Sequence, residues 1–145
     1  MGVHDCGVVQ QSSPVHSGVK VDWDELARTA WLVRGNAFLV GKTAVGCAVL
    51  SVSGKVFTGC NVEHRYRCHD IHAEVNAIGQ MVAAGERQLR AVMVVAQRER
   101  FTPCGSCMDW VFQFGDGECL VAYQDTPGGR VTVHTALELM PFYPR

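Results

Sequence analysis

His72-Ala73-Glu74 and, further along, Pro103-Cys104-Gly105-Ser106-Cys107 carry the residue types that a zinc ion selects. Zinc takes imidazole and thiolate ligands in a tetrahedral arrangement, and a catalytic site leaves one corner for water. The candidate ligands are His72, Cys104 and Cys107. Cys104 and Cys107 stand at i and i+3, so they share one face of a helical first turn. The positive end of such a helix favours thiolate forms, and Pro103 suits the start of the turn. Glu74 follows His72 by two positions. Inside a helix those side chains diverge, but with His72 at or before the first helical position both can face one pocket. Zinc lowers the pKa of bound water to about 7, and Glu74, a carboxylate that is not a ligand, can take that proton and return it within one turnover. This is the chemistry of hydrolysis. Two other readings stay open on the residues alone. A Cys-x-x-C pair also suits redox exchange, and Cys68 or His69 could close the metal site as a structural fourth ligand.

The elements around these residues must present two helix starts to one point. A first helix begins near Asp22, a capping residue with Glu25 three positions on as in a capping box, and Trp23, Leu26, Ala30 and Val33 recur at helical spacing. Gly46–Val52 and Lys55–Cys60 read as a hairpin turning at Ser53-Gly54. A polar loop from Asn61 to Asp70 leads into a second helix, about His72 to Ala84, stopped by Gly85. Leu89–Ala96 is an apolar, valine-rich run and reads as a buried strand. A third helix is expected over Cys104–Phe114. Short strands follow at Cys119–Tyr123 and Val131–Val133, on either side of the Thr126-Pro127-Gly128-Gly129 turn. The order α-β-β-α-β-α-β-β implies an α/β protein with one mixed sheet covered by helices. Trp23, Trp31 and Trp110 lie on expected helices and read as core. Residues 1–20 read as a flexible tail and 21–145 as a single domain, with His4, His16 and His134 as tail or surface residues.

Composition narrows the function classes. The chain has 145 residues, 48% of them apolar, and a net charge of −1. That is enough for one domain with a real core and gives no electrostatic case for a nucleic-acid partner. No apolar run reaches the length of a membrane span, and the start of the chain has no secretion signal. The seven cysteines are odd in number and irregularly spaced, which argues against a secreted disulfide framework. A reducing cytoplasm, with some thiols given to a metal, fits better.

H-x-E with P-C-x-x-C is a described signature of zinc deaminases. From Val45 to Pro141, about two thirds of the chain, the sequence resembles the cytidine deaminase family. Val45-Gly46-Cys47-Ala48-Val49-Leu50 is similar to that family's Val-Gly-Ala-Ala-Leu-Leu strand. Gly59-Cys60-Asn61-Val62-Glu63 is similar to its Gly-x-Asn-Val-Glu segment, and Leu139-Met140-Pro141 to its Leu-Leu-Pro. The resemblance implies a three-layer α/β/α sandwich around a mixed five-stranded sheet. It implies one zinc per subunit, attack on C4 of a cytosine ring, and Glu74 as proton shuttle. The substrate would be a small-molecule cytosine nucleoside, cytidine or 2′-deoxycytidine, converted to the uridine product and ammonia as in pyrimidine salvage. Asn61 and Glu63 would meet the ribose hydroxyls and the backbone of Ala73 the pyrimidine edge. Short members are homotetramers, so an oligomer, with a tetramer favoured, is expected. Two alternatives accompany this reading: a deaminase of a modified or anionic cytosine nucleoside, as in nucleoside-antibiotic metabolism or resistance or a CMP-like substrate, and a non-catalytic zinc-stabilised oligomer.

The departures from the family pattern are informative. Short members use three thiolates and place an Arg after the catalytic Glu, whereas here the first ligand is His72 and the next residue after Glu74 is Val75. Zinc with three thiolates carries a net −1 that an Arg offsets; with two thiolates and neutral imidazole it is already balanced. Thr43-Ala44 stand where the family has a Phe, Pro144 where it has an aromatic (with Phe142 and Tyr143 adjacent), and Met108-Asp109 where it has Arg-Gln. In the loop His64-Arg65-Tyr66-Arg67-Cys68-His69-Asp70, Arg65 and Arg67 could meet an anionic substrate group. A solvated loop or a subunit contact is the plainer reading of those arginines.

Overall fold

In the computed structural model, residues 18–144 are described. The tail expected over 1–20 lies almost wholly outside the described residues, as do His4, Cys6 and His16. Helix α1 (Trp23–Arg34) starts where the Asp22 carboxylate accepts the Glu25 N–H at 3.0 Å. Only half of the capping box forms, because the Glu25 carboxylate turns to Arg28 at 2.6 and 2.8 Å instead. Strands β1 (Val45–Ser51) and β2 (Val56–Cys60) form the hairpin, and α2 (Ala73–Ala83), β3 (Leu89–Ala96) and α3 (Gly105–Phe114) follow. β4 (Leu120–Gln124), β5 (Thr132–Thr135) and a short α4 (Ala136–Leu139) complete the chain. The sequence reading missed α4, although its signal was present: Thr135 and Glu138 close a reciprocal capping box.

The strands lie in the order β2-β1-β3-β4-β5. β3 and β4 are parallel, and every other neighbouring pair is antiparallel. Strand alternation sorts the side chains into two cores. Val45, Cys47 and Val49 of β1, with Val92 and Val94 of β3, pack against Ala77, Ile78 and Met81 of α2 and Val111 of α3. Ala48, Leu50, Met93 and Val95 face Leu26, Ala27 and Ala30 of α1 on the other side. The result is the expected α/β/α sandwich. Two glycines set how closely the helices approach. A Cβ at Gly46 would collide with the Ala30 carbonyl of α1, and one at Gly59 with the Ala73 carbonyl and Ala77 nitrogen of α2.

The tryptophan expectation needs correction. Trp23 and Trp31 are half-buried against the α1-side core, and the Trp31 indole donates to Gln124 Oε1 at 2.6 Å. Trp110 is 42% exposed. Cys107, Met108 and Val111 occupy the buried stripe of α3, so position 110 points away from the sheet and its ring stacks on Phe114 instead.

Candidate active site

α2 and α3 pack on the same face of the sheet and bring their N-termini together. His72 is the N-cap of α2 and Cys104 the N-cap of α3, both with extended backbone, and neither side chain caps its helix. Ser, Thr, Asp or Asn at such a position is typically worth about 1 kcal/mol over a residue that cannot cap. Both helices forgo that stabilisation and keep their first side chains for another use. Placing His72 just ahead of α2 also meets the requirement that His72 and Glu74 face one pocket. Pro103 sits one residue earlier than expected, ahead of the cap rather than in the first turn.

His72 Nδ1 lies 3.3 Å from Cys107 Sγ and 3.4 Å from Cys104 Sγ. Zinc–nitrogen and zinc–sulfur bond lengths in a tetrahedron place such donors about 3.5 Å apart, so the three atoms sit at three corners of a zinc site. Among the described residues these three form the metal-competent group, with all ligand atoms within 4.8 Å of one another, and no fourth His, Cys, Asp or Glu joins them. Cys68 and His69 lie elsewhere in the loop, where the His69 ring packs edge-on to His64. The open corner is the arrangement of a catalytic site rather than a closed structural one. Burial pushes the free Cys107 thiol up, with the Glu74 and Cys104 charges adding to it. A bound divalent cation reverses that sign, since a coordinating thiol is deprotonated outright.

Glu74 is 3% exposed. Burial raises its pKa above the ordinary value, while its own backbone N–H, the Cys107 thiol and the His72 charge pull the other way. A carboxyl held above its usual range is suited to holding a proton as well as releasing one. The Cys47 thiol, on β1, is pushed far up by burial and then by the Glu74 charge. Cys47 stands where the family strand has Ala, and the sequence offered no sign that it borders the carboxylate.

The cleft over these residues measures about 430 Å³. His72, Ala73, Glu74 and Cys104 form one end, and Asn61, Glu63 and Arg67 also line it. Asn61 and Glu63 are buried at 7% and 8% exposure. Asn61 Oδ1 accepts the Val45 N–H at 2.8 Å and Nδ2 donates to the Thr43 carbonyl at 2.9 Å. Glu63 Oε2 accepts the backbone N–H groups of Val40 and Gly41 at 2.7 and 2.6 Å. Arg67 reaches the cleft but spans two carboxylates, Glu63 Oε1 at 3.1 Å and Asp70 Oδ2 at 2.7 Å. Arg65 turns onto the Tyr66 ring, 4.9 Å from its centroid, and is not part of the cleft wall.

Lys42, Arg98 and Phe101 are among the cleft residues that the sequence reading passed over. Phe101 supplies an aromatic side chain to the same cleft as Thr43, the position where the sequence showed one missing. Pro103 disfavours helix only in the residue before it, so nothing in the sequence marked Phe101 as a cleft residue. The other departures are absorbed elsewhere. Met108 is buried in the core. Asp109 accepts a hydrogen bond from the Tyr143 hydroxyl at 2.9 Å. Tyr143 also stacks on Phe112, and Phe142 is 95% exposed.

Residues 22–123 match the family model described as the cytidine and deoxycytidylate deaminase zinc-binding region. A cytidine deaminase from Sporosarcina psychrophila is 30% identical over 123 residues, covering 83% of this chain and 90% of the relative. A Dictyostelium discoideum protein named "Probable cytidine deaminase" is 34% identical over 95 residues, covering 64% of this chain and 65% of the relative, just under two thirds of its length. The crystal structure of cytidine deaminase from Mycobacterium leprae superposes with a TM-score of 0.73 at 31% identity, covering 84% of this chain and 99% of that one.

Proposed function

Because the chain belongs to the cytidine and deoxycytidylate deaminase family, we propose that it is a zinc-dependent hydrolase converting cytidine or 2′-deoxycytidine to the uridine product and ammonia. The observation that carries this reading is the three-cornered donor set of His72, Cys104 and Cys107 with the buried, non-ligating Glu74 beside it. Zinc held there supplies the Lewis acidity that makes water nucleophilic at neutral pH. Glu74 would take a proton from the attacking water and deliver it to ring N3 as C4 becomes tetrahedral, then carry the proton of the new C4 hydroxyl to the amine, which leaves as ammonia. The backbone of Ala73, buried at the start of α2, meets the pyrimidine edge. Asn61 and Glu63 hold the sugar, Glu63 through the oxygen not taken by the Val40 and Gly41 backbone.

The catalytic unit in this reading is 21–145, placed in pyrimidine salvage in a reducing cytoplasm. The six cysteines among the described residues are all free, which suits such a compartment. A homo-oligomer, with a tetramer favoured, is supported by a strip of exposed apolar residues beside the cleft. Phe38, Val62 and Ile71 are linked by backbone bridges and stand 63%, 37% and 46% exposed. A contiguous apolar patch of this kind marks an interface.

The test is metal analysis together with an ultraviolet deamination assay on purified wild type and Glu74→Gln. We expect bound zinc in both and loss of about 10²–10⁴-fold in turnover for the variant, the usual size of a general acid–base contribution. Zinc retained by a wild type that deaminates no cytosine nucleoside would replace this reading with a non-catalytic zinc-stabilised oligomer.

A further inference from the structure

Two loops line the cleft. Gly41, Lys42 and Thr43 come from the α1–β1 connection, and Arg98, Phe101 and Thr102 from the β3–α3 connection. Three cations line it, Lys42, Arg67 and Arg98, and they are not equivalent. Arg67 is committed to Glu63 and Asp70. Lys42 and Arg98 take part in none of the ion pairs formed among the described residues. Both are exposed, whereas Glu74 is buried. The Arg98 guanidinium is held over the Phe101 ring at 5.6 Å from its centroid, a cation–π contact that keeps it on the cleft wall. The carboxylates of the cleft cannot neutralise them easily. Glu63 and Asp70 are engaged with Arg67, and Glu74 is buried.

We propose that Lys42 and Arg98 form a cationic rim that selects cytosine nucleosides bearing an anionic group, a phosphate or a carboxylate, on the sugar. The inference rests on the deaminase reading above, because it places the ring at the metal end and the sugar toward the mouth. Two cations lining one concave cleft, neither in an ion pair among the described residues, raise the positive potential within it. A neutral nucleoside leaves both to solvent, whereas an anionic substituent gives each a charge-assisted hydrogen bond. The arginines that the sequence alone suggested for this role, Arg65 and Arg67, are occupied by Tyr66 and by the two carboxylates.

The experiment compares kcat/KM for cytidine, cytidine 5′-monophosphate and cytidine 5′-carboxylate in wild type, Lys42→Ala, Arg98→Ala, the double variant and Arg98→Lys. Wild type is expected to favour an anionic substrate. Each alanine substitution should cut the anionic-to-neutral ratio by about tenfold, the worth of one charge-assisted bond, mainly through KM. Arg98→Lys should restore part of the ratio, and added salt should erode it. Calorimetric titration of the zinc-loaded Glu74→Gln variant reads binding without turnover. Tighter binding of the monophosphate than of cytidine, lost when Lys42→Ala and Arg98→Ala are added, is expected. Preference for the monophosphate or for the carboxylate identifies which anion the rim serves. A wild type that turns over cytidine at least as well as both anionic forms, or a ratio unchanged in the double variant, overturns the rim and leaves the deaminase reading standing. Zinc-loaded protein that deaminates none of the three substrates overturns the deaminase reading, and the rim with it.

Discussion

Glu63 and Asp70 flank Arg67, and each carboxylate is held below its ordinary range. For Glu63 the main cause is the Gly41 N–H, with the Val40 N–H and the Arg67 charge also lowering it against burial. For Asp70 it is the His64 N–H, then the Arg67 side chain. A carboxylate with a depressed folded-state pKa contributes stability that is fully present above its unfolded value and is lost as pH falls through the folded value. The unfolded values here are near 4.5 for Glu63 and 3.8 for Asp70. Acid titration should therefore loosen the sugar-side wall of the cleft below about pH 4. Amide exchange at Val40 and Gly41, whose charge-assisted bonds to Glu63 weaken as it protonates, checks this. Glu63→Ala, which removes the acceptor, should expose those amides at neutral pH and flatten the acid limb; an acid limb identical to wild type would remove Glu63 as its cause. At the same scale His72 and Cys104 were legible as ligands from type and spacing alone. The partners of Arg67 were not, because Glu63 and Asp70 converge on it only once the loop has folded.

At the scale of elements, the catalytic geometry depends on how close α2 lies to the sheet. Gly59 permits that approach, since any Cβ there meets the Ala73 carbonyl and the Ala77 nitrogen in the first turns of α2. Backbone cannot yield as a flexible side chain can, so Gly59→Ala should cost on the order of 1–3 kcal/mol, the usual size of overpacking. It should also tilt the helix that carries His72 and Glu74. Chemical denaturation measures the first effect and zinc affinity the second, and an unchanged midpoint would contradict the packing argument. The types of the long elements followed from their patterns. Leu89–Ala96 falls as read, and the other boundaries shift by a residue or two because end residues are set by hydrogen bonds rather than by periodicity. Trp110 shows the limit of such reading. Its place on a helix was evident, but which side of α3 the sheet covers was not.

Considered whole, the molecule is expected to fold without the metal. Both faces of the sheet are covered by helices and carry their own apolar clusters, so hydrophobic burial supplies the framework and zinc pins two helix ends. Chelation should leave the far-ultraviolet spectrum essentially unchanged. It should lower the melting temperature by roughly 5–10 °C, from about 2.7 kcal/mol of linkage at a hundredfold excess over Kd and the usual slope for a domain of this size. Collapse of the spectrum on chelation would show a zinc-dependent fold instead. Phe38→Glu places a charge on the exposed apolar strip and should shift the light-scattering mass toward the monomer; a mass unchanged from an oligomeric wild type would put the interface elsewhere.

Residue chemistry and its spacing along the chain were enough to identify the metal donors, the neighbouring carboxylate, the order of helices and strands, and the family. These are local properties, legible because ligand type, helical periodicity and strand alternation are written in consecutive residues. Convergence in space was not legible. That Cys47 feels the Glu74 charge, that Phe101 lines the cleft, and that Arg67 is occupied while Lys42 and Arg98 join no ion pair among the described residues are consequences of segments distant in the chain packing against each other. Burial and pairing depend on those distant neighbours, and they separate a charge already satisfied within the protein from one left available to a substrate.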